Sequence, residues 1–324
     1  MRAINGARQK KRLPLIVLMG PTAIGKTDIA LSIYQHFPVE IVSVDSAQVY
    51  RHLDIGTAKP SKAVLEEVPH WLIDVVDPTD VYNAARFVND ANQAIRRIWQ
   101  KGKIPLLVGG SMMYFNVLIN GLSDLPPACP KVRERLNRQI ELEGVESLHD
   151  RLKRIDSDAA SRVHPRQRQR VVRALEVFEL TGTPLSELQA QKNTYDVTHL
   201  MEIYQIGLWP SDRTMLHRRI EQRFESMLNR GLCDEVQSLC ARGDLNAEFP
   251  AIRAVGYRQI WGFLQGIYCL ETAKNLTISA SRQLAKRQLT WMRRWSDLDI
   301  VHVDPMSDRE KLKKNILNRL KKHV

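Results

Sequence analysis

An α/β fold is predicted: a parallel sheet core flanked by helices, with an all-helical insertion domain. Three observations predict it. Apolar runs at 15–19, 40–44 and 104–108 read as buried strands, separated by helical stretches. Between about 122 and 200 the strands stop, and charged helical periodicity follows Pro126, Pro127 and Pro130. Residues 201–209 then alternate, as a strand returning to the sheet would. The expected division is a basic tail over 1–13, a core from 14–121 and 201–324, and an insertion over 122–200. A length of 324 residues fits two domains, and a hydrophobic share of 44% is ample for a core.

The first strand, Leu15 to Met19, ends where Gly20, Pro21, Thr22, Ala23, Ile24, Gly25, Lys26 and Thr27 match the pattern G-x-x-x-x-G-K-[ST]. Two glycines let the backbone curl so that its N–H groups face a polyanion. Lys26 adds a positive charge, and the Thr27 hydroxyl suits Mg²⁺. A helix from Asp28 to His36 aims its N-terminus at the phosphates. Strand, loop and helix in this order make the core P-loop NTPase-like. The loop announces a phosphate chain with Mg²⁺, and it does not say which compound.

The second strand, residues 40–44, ends at Asp45, Ser46, Ala47 and Gln48. Polar groups at the C-terminal edge of a strand, beside the loop, are where open α/β sheets place their chemistry. Asp45 is therefore an acid–base candidate, although an Asp here also suits the cap of a turn. Residues 70–76, HWLIDVV, look strand-like and end at Asp77-Pro78. Residues 83–101 fit an amphipathic helix with Ala84, Phe87, Val88, Ala91, Ala94, Ile95 and Ile98 inward. Ile104 to Val108 is a third parallel strand, closed by Gly109-Gly110, and Ser111 opens a helix over 112–120. Ser111 suits an N-cap, and its hydroxyl could also face a bound phosphate.

In the insertion, helical spacing over 166–180 sets Arg166, Arg170 and Arg173 on one face and Val171, Leu175 and Phe178 on the other. Such a stripe reads first as a solvated basic face, and it also suits a phosphate backbone. After the returning strand, Asp212 caps a long helix that ends at Gly231, and a shorter helix covers 232–242. Residues 253–258, RAVGYR, read as a basic turn. The helix over 270–295 places Ala273, Thr277, Ala280, Leu284, Trp291 and Trp295 on one side and Arg282, Lys286 and Arg293 on the other, with Leu289 spoiling the basic face. A short strand at 299–303 and a basic helix over 307–323 follow.

The formal charge of +12 calls for a polyanionic partner such as nucleic acid. Cys129, Cys233, Cys240 and Cys269 have no metal-ligand spacing and read as reduced, cytoplasmic thiols. No run of 18 apolar residues exists, so no membrane partner is expected. The basic start lacks the apolar core of a signal peptide. From the residues alone, a small-molecule kinase with Arg166 to Arg173 as its lid stays open. So does an RNA-binding protein that senses a nucleotide through its loop.

Taken together, GPTAIGKT, SVDSAQVYRHLDIGTAKP, PHWLIDVVDP, IPLLVGGSMMYF, HPRQRQRVVRALEV, RIEQRF, AIRAVGYRQIW and RQLAKRQLTWMRRW resemble, in order and spacing, the bacterial tRNA dimethylallyltransferase family. The resemblance implies transfer of the dimethylallyl group of dimethylallyl diphosphate to N6 of the adenosine 3′ to the anticodon, in tRNAs reading codons that begin with U. It implies that the loop holds the diphosphate, with Mg²⁺ on Thr27, in a monomer. Asp45 becomes the general base, Ser111 reaches the bridging oxygen, and Lys26 and Arg219 hold the leaving group. Many family members carry Thr at the position of Ser111. Ile24 is bulkier than the usual loop residue, and only its backbone is expected to matter.

The resemblance also implies a tRNA path. It runs along Asp45, Ser46, Ala47, Gln48 and Ser111, with Arg133 as a further contact. It continues on Gln169, Arg170, Val171, Val172 and Arg173, and on Arg253, Ala254, Val255, Gly256, Tyr257 and Arg258. It ends on Lys286, Arg287, Gln288, Leu289, Thr290, Trp291, Met292 and Arg293.

Overall fold

A computed structural model describes residues 12–191, 201–304 and 309–323. The expected basic tail lies outside them up to residue 11. The chain forms two compact units, one within residues 1–119 and 197–324, the other within 120–196. In chain order the first unit opens with β1 (Leu13–Met19), α1 (Lys26–His36), β2 (Val39–Val44), α2 (Lys62–Glu67) and β3 (His70–Trp71). It continues with α3 (Ala84–Gln100), β4 (Ile104–Gly109) and α4 (Met112–Asn120). The second unit holds α5 (Pro130–Glu143), α6 (Val145–Ile155), α7 (Ser157–Arg162), α8 (Arg168–Thr181) and α9 (Leu185–Ala190). The first unit resumes with β5 (Met201–Pro210), α10 (Arg213–Asn229), α11 (Leu232–Ala241), α12 (Tyr257–Leu264), α13 (Leu270–Arg293), β6 (Asp299–Val303) and α14 (Arg309–Leu320).

The strands form one sheet in the order β3-β2-β4-β1-β5-β6, every pair parallel. β1 is central and its residues from Leu15 to Met19 are fully buried. A strand covered on both faces must be apolar throughout, which is why these runs do not alternate. Because all strands run the same way, the loops after β1, β2, β4 and β5 leave from one edge. Two adjacent strands close tightly there. A Cβ on Gly109 would lie 2.0 Å from the Val44 carbonyl oxygen, so only glycine fits.

The second unit has its own core, with Leu136, Leu148, Leu152, Val171 and Leu175 at its centre. Its named elements, among the described residues, are all helices.

Several elements differ from expectation. Only His70 and Trp71 of the strand-like stretch pair as a strand. Leu72 and Asp74 take φ of 64° and 56°, which ends extended pairing. Leu72 and Val76 are buried without being sheet, and Val76 forms a single bridge to Tyr50. Lys59 fixes this stretch, donating from its buried Nζ to Asp74 Oδ1 at 2.5 Å, Asp54 Oδ1 at 2.7 Å and the Tyr50 carbonyl at 2.6 Å. The turn expected over 253–258 becomes helical at Tyr257, where α12 starts behind Gly256 at φ 97°. Asp212 does cap α10, accepting from the amides of Thr214 and Met215 at 2.8 and 3.2 Å. Gly231 follows the helix end at φ 93°.

The inward face of α13 is also shifted. Leu289 and Met292 are core, and Trp291 is 40% exposed. Over 24 residues the buried stripe runs through Ala273, Thr277, Ala285, Gln288, Leu289 and Met292. A polar Gln288 inside that stripe misplaces the face when only apolar residues are counted. Among the described residues, no helix is long and apolar enough to cross a membrane.

Candidate active site

The glycine loop leaves β1 and enters α1 without a side-chain cap. Gly25 sits at the N-cap with φ 105°, and Ala23 also has a positive φ of 62°. The helix N-terminus therefore presents free N–H groups, the feature that makes such ends anion sites. Ile24 points the other way. It is buried, and its Cγ2 would lie 3.0 Å from a Cβ on Gly20. Its side chain thus anchors the loop to the core, a role beyond the backbone one expected of it.

Lys26 donates from Nζ to the carbonyl oxygens of Gly20 and Pro21, at 3.0 and 2.9 Å. Burial and then the nearby Arg223 charge lower its pKa to about 8, with Asp45 pulling the other way. Thr27, next to it, is exposed at the start of α1.

At the end of β2, Asp45 Oδ1 accepts from the amides of Ala47 and Gln48, at 2.9 and 3.3 Å. It does cap the following turn, and one oxygen does that work, leaving the carboxylate a second acceptor. At the end of β4, Ser111 Oγ accepts from the Ser46 amide at 3.0 Å and lies 3.4 Å from Ser46 Oγ. The hydroxyl expected to cap α4 instead joins the β2 and β4 loops. Gln48 is spent on structure. It accepts from Ser43 Oγ at 2.9 Å and donates to the Thr57 and Ala58 carbonyls at 3.3 and 3.4 Å.

α10 supplies two arginines one turn apart. Arg219 donates to the Ile24 carbonyl at 3.2 Å. Arg223, which the sequence reading passed over, approaches Thr22 Oγ1 at 3.4 Å. Burial depresses the pKa of Arg223, and only the Asp45 charge opposes that. Lys26 and Arg223 are thus half-buried cations beside one loop, with one carboxylate to balance them. Such an excess is a site for an anion.

Two adjoining cavities share this ground. One of about 540 Å³ is lined by Thr22, Lys26, Thr27, Arg219 and Arg223. The other, of about 520 Å³, is lined by Ser111, Met113, Phe224, Val255, Arg287 and Trp291. Asp45, Gly110 and Gln288 line both. Thr22 and Arg223 border both as well, so the arrangement sets cations suited to a polyanion beside a carboxylate, with apolar and aromatic surface adjoining.

The residues expected on a tRNA path divide by burial. Ser46, Ala47, Arg253, Ala254, Val255 and Gly256 line the second cavity with Arg287 and Trp291. Arg258, Lys286, Thr290 and Arg293 are exposed. Tyr257, Leu289 and Met292 are core, so their side chains do not face a ligand. Contiguous stretches of a helix cannot face outward at every position. In the second unit Gln169 and Arg170 are exposed, and Val171 and Val172 are core. Arg166 precedes α8, so the expected stripe of three arginines is not one helix face. Arg133 and Arg173 both bind Glu176, which is fully buried.

Glu235 on α11 is a further residue without a sequence signal. It accepts from the amides of Asp54, Ile55 and Gly56 at 3.0, 2.7 and 3.1 Å, and from the Tyr257 hydroxyl at 2.5 Å. It fixes the loop that carries Gly56 and Thr57 into the second cavity.

Among the described residues, no cluster of three or more His, Cys, Asp or Glu side chains could hold a metal ion. A dication here would rest on the Thr27 hydroxyl and on the oxygens of a bound phosphate chain. That donor set fits Mg²⁺, which keeps its waters and takes one or two protein oxygens.

Comparison with known proteins brings this geometry into register with others. Residues 48–295 match the sequence family described as IPP transferase. The chain is 52% identical over 294 residues to a tRNA dimethylallyltransferase of Alkalilimnicola ehrlichii, covering 90% of each. It is 49% identical to one of Nitrosococcus oceani, covering 91% of this chain and 92% of that one. The crystal structure of a tRNA isopentenylpyrophosphate transferase from Bacillus halodurans is similar with a TM-score of 0.68 and 34% identity, over 95% of this chain and 97% of that one.

Proposed function

The chain belongs to the IPP transferase family, that of the tRNA dimethylallyltransferases, and we propose that its glycine loop holds the leaving diphosphate of that reaction. It is a prenyltransferase that moves a dimethylallyl group onto tRNA. The core is read as P-loop NTPase-like, with the loop turned from nucleotide phosphates to an allylic diphosphate. The acceptor is N6 of the adenosine 3′ to the anticodon, in tRNAs reading codons that begin with U.

One observation carries the reading of the site. Asp45 stands where the cationic cavity and the apolar, aromatic cavity meet. A base that takes a proton from one substrate while the other loses diphosphate must stand between them. The amino nitrogen of adenine is a poor nucleophile, because its lone pair is delocalised into the ring. Asp45 accepts its proton as the C–N bond forms, and the allylic C–O bond breaks with its electron pair going to diphosphate. A placed base contributes about 10²–10⁴-fold.

The diphosphate gains charge as it leaves. Loop N–H groups, Lys26, Arg223 and Arg219 receive that charge in fixed positions, which requires no reorganisation at the moment of reaction. Mg²⁺, held by Thr27 and the diphosphate oxygens, would neutralise part of it. Ser111, whose hydroxyl joins the β2 and β4 loops, lines the second cavity beside Asp45. The adenine must leave its stack to reach Asp45, and Trp291 and Arg287 offer the flat surfaces that an unstacked base seeks.

Labelled dimethylallyl diphosphate, unmodified tRNA with adenosine 3′ to the anticodon, and Mg²⁺ supply the test. Label enters the RNA at that adenosine. No transfer, or transfer to another nucleotide, sinks this reading.

A further inference from the structure

Gln288 lies in the last two turns of α13 beside exposed basic neighbours, Lys286 and Arg287, yet it is only 7% exposed. A buried glutamine is costly unless its amide is satisfied at both ends. Its Oε1 accepts from the Thr22 amide at 2.9 Å. Its Nε2 donates to the Gly110 carbonyl at 2.9 Å. One side chain thereby joins the glycine loop after β1 to the glycine turn after β4.

The turn is shaped to receive it. A Cβ on Gly110 would come within 2.4 Å of Gln288 Nε2, so any other residue there would push the amide away. The loop itself needs such a brace. Ala23, beside Thr22, holds a left-handed φ that an L-residue adopts only when its surroundings enforce it. Arg223 meets the hydroxyl of the same Thr22 whose amide Gln288 binds.

We propose that Gln288 is a positioning residue for diphosphate and not an RNA contact. It locks the first turn of the loop, so that the remaining N–H groups and Arg223 keep the spacing a diphosphate needs. The inference rests on the loop's being a diphosphate holder, as read above. It assigns α13 two separate tasks, with Arg287 and Trp291 lining the second cavity and Gln288, which borders both cavities, spending its amide on the loop.

The test uses the full chain with Q288M, which keeps the length of the side chain and removes both hydrogen bonds, and with G110A, which displaces the amide from the other side. Binding of inorganic diphosphate with Mg²⁺ is followed by calorimetry, and tRNA binding by filter retention. Both variants should weaken diphosphate about tenfold, the scale of a buried donor left unpaired, and leave the tRNA Kd within about twofold. The KM for dimethylallyl diphosphate should rise with little change in the KM for tRNA. A tRNA affinity that falls as far as diphosphate affinity, or diphosphate affinity unchanged in both variants, overturns the inference. Should Q288M fail to fold, G110A carries the same test. Wild-type protein that binds diphosphate but transfers no prenyl group would count against the proposed function and leave the role of Gln288 standing.

Discussion

The ammonium of Lys26 donates back to the carbonyl of Gly20, so the cation of the loop is folded onto the strand end that begins it. This sets a pH dependence. With burial and Arg223 lowering its pKa to about 8, Lys26 is charged below that value and loses its proton above it. A bound diphosphate favours the charged form. The KM for dimethylallyl diphosphate should therefore be flat in this respect below about pH 8 and rise above it, by up to about tenfold per unit. Lys26→Met should raise the KM at pH 7 and abolish that inflection. A wild-type profile with no inflection between pH 7 and 9 would remove Lys26 from the anion site.

Arg223 and Arg219 should separate. Arg223 meets the Thr22 hydroxyl and has little else to balance its charge, whereas Arg219 reaches only the Ile24 carbonyl. Arg223→Ala should raise the KM for dimethylallyl diphosphate about 10–100-fold, the loss of a charge-assisted contact. Arg219→Ala should cost several-fold less. Steady-state kinetics at fixed tRNA decides, and the reverse order would return the leading role to Arg219.

Asp45→Asn keeps an oxygen for the amides of Ala47 and Gln48, so the turn after β2 should hold. It removes the proton acceptor. Turnover should fall about 10²–10⁴-fold, while the tRNA Kd and the melting temperature stay near wild type. Equal losses in turnover and tRNA affinity would make Asp45 a binding group.

The second unit offers a stability test. Glu176 accepts from Arg133 Nε at 2.8 Å, Arg173 Nη1 at 2.7 Å and the Cys129 amide at 2.8 Å. Burial pushes its carboxyl upward, but Arg133, Arg173 and that amide together hold it below its ordinary value of 4.5. A depressed folded pKa stabilises above the unfolded value and is lost as pH falls through the folded one. Glu176→Gln should cost roughly 2 kcal/mol at pH 7, toward the low end for a buried pair because both arginines are partly exposed. The loss should shrink below about pH 4. Urea unfolding at pH 7 and pH 3.5 measures both, and a constant loss at the two values would contradict the pairing.

The central strands and the glycine loop were legible because continuous apolar runs and a loop pattern are local. β2 and β4 fall within a residue of their expected limits, and β1 starts two residues earlier than expected. The strand expected over 70–76 failed for a tertiary reason. Lys59 ties Asp74 back to Tyr50 and Asp54, and the positive φ at Leu72 and Asp74 ends the pairing while Leu72 and Val76 stay buried. Asp45 and Ser111 could be placed at strand ends from the sequence. Choosing Arg223 beside Arg219 could not, since residues four apart share a helix face and only packing sets their depth. Gln288 was expected on the tRNA path and not on the glycine loop, and Glu235 carried no signal. Their partners are main-chain groups far away in sequence, and backbone amides leave no mark in a side-chain pattern.

The place of β1 in the sheet bears on how the chain is made. Its two neighbours are β4, already synthesised when the first half ends, and β5, which follows the whole helical unit. Leu13 finds Met201 only after that detour. A nascent chain therefore carries its most apolar strand with one edge bare while the second unit is translated. Pairings this distant in sequence are slow to form, and an exposed edge is open to misassociation meanwhile. The helical unit, whose core is drawn from its own residues, is placed to fold during that interval.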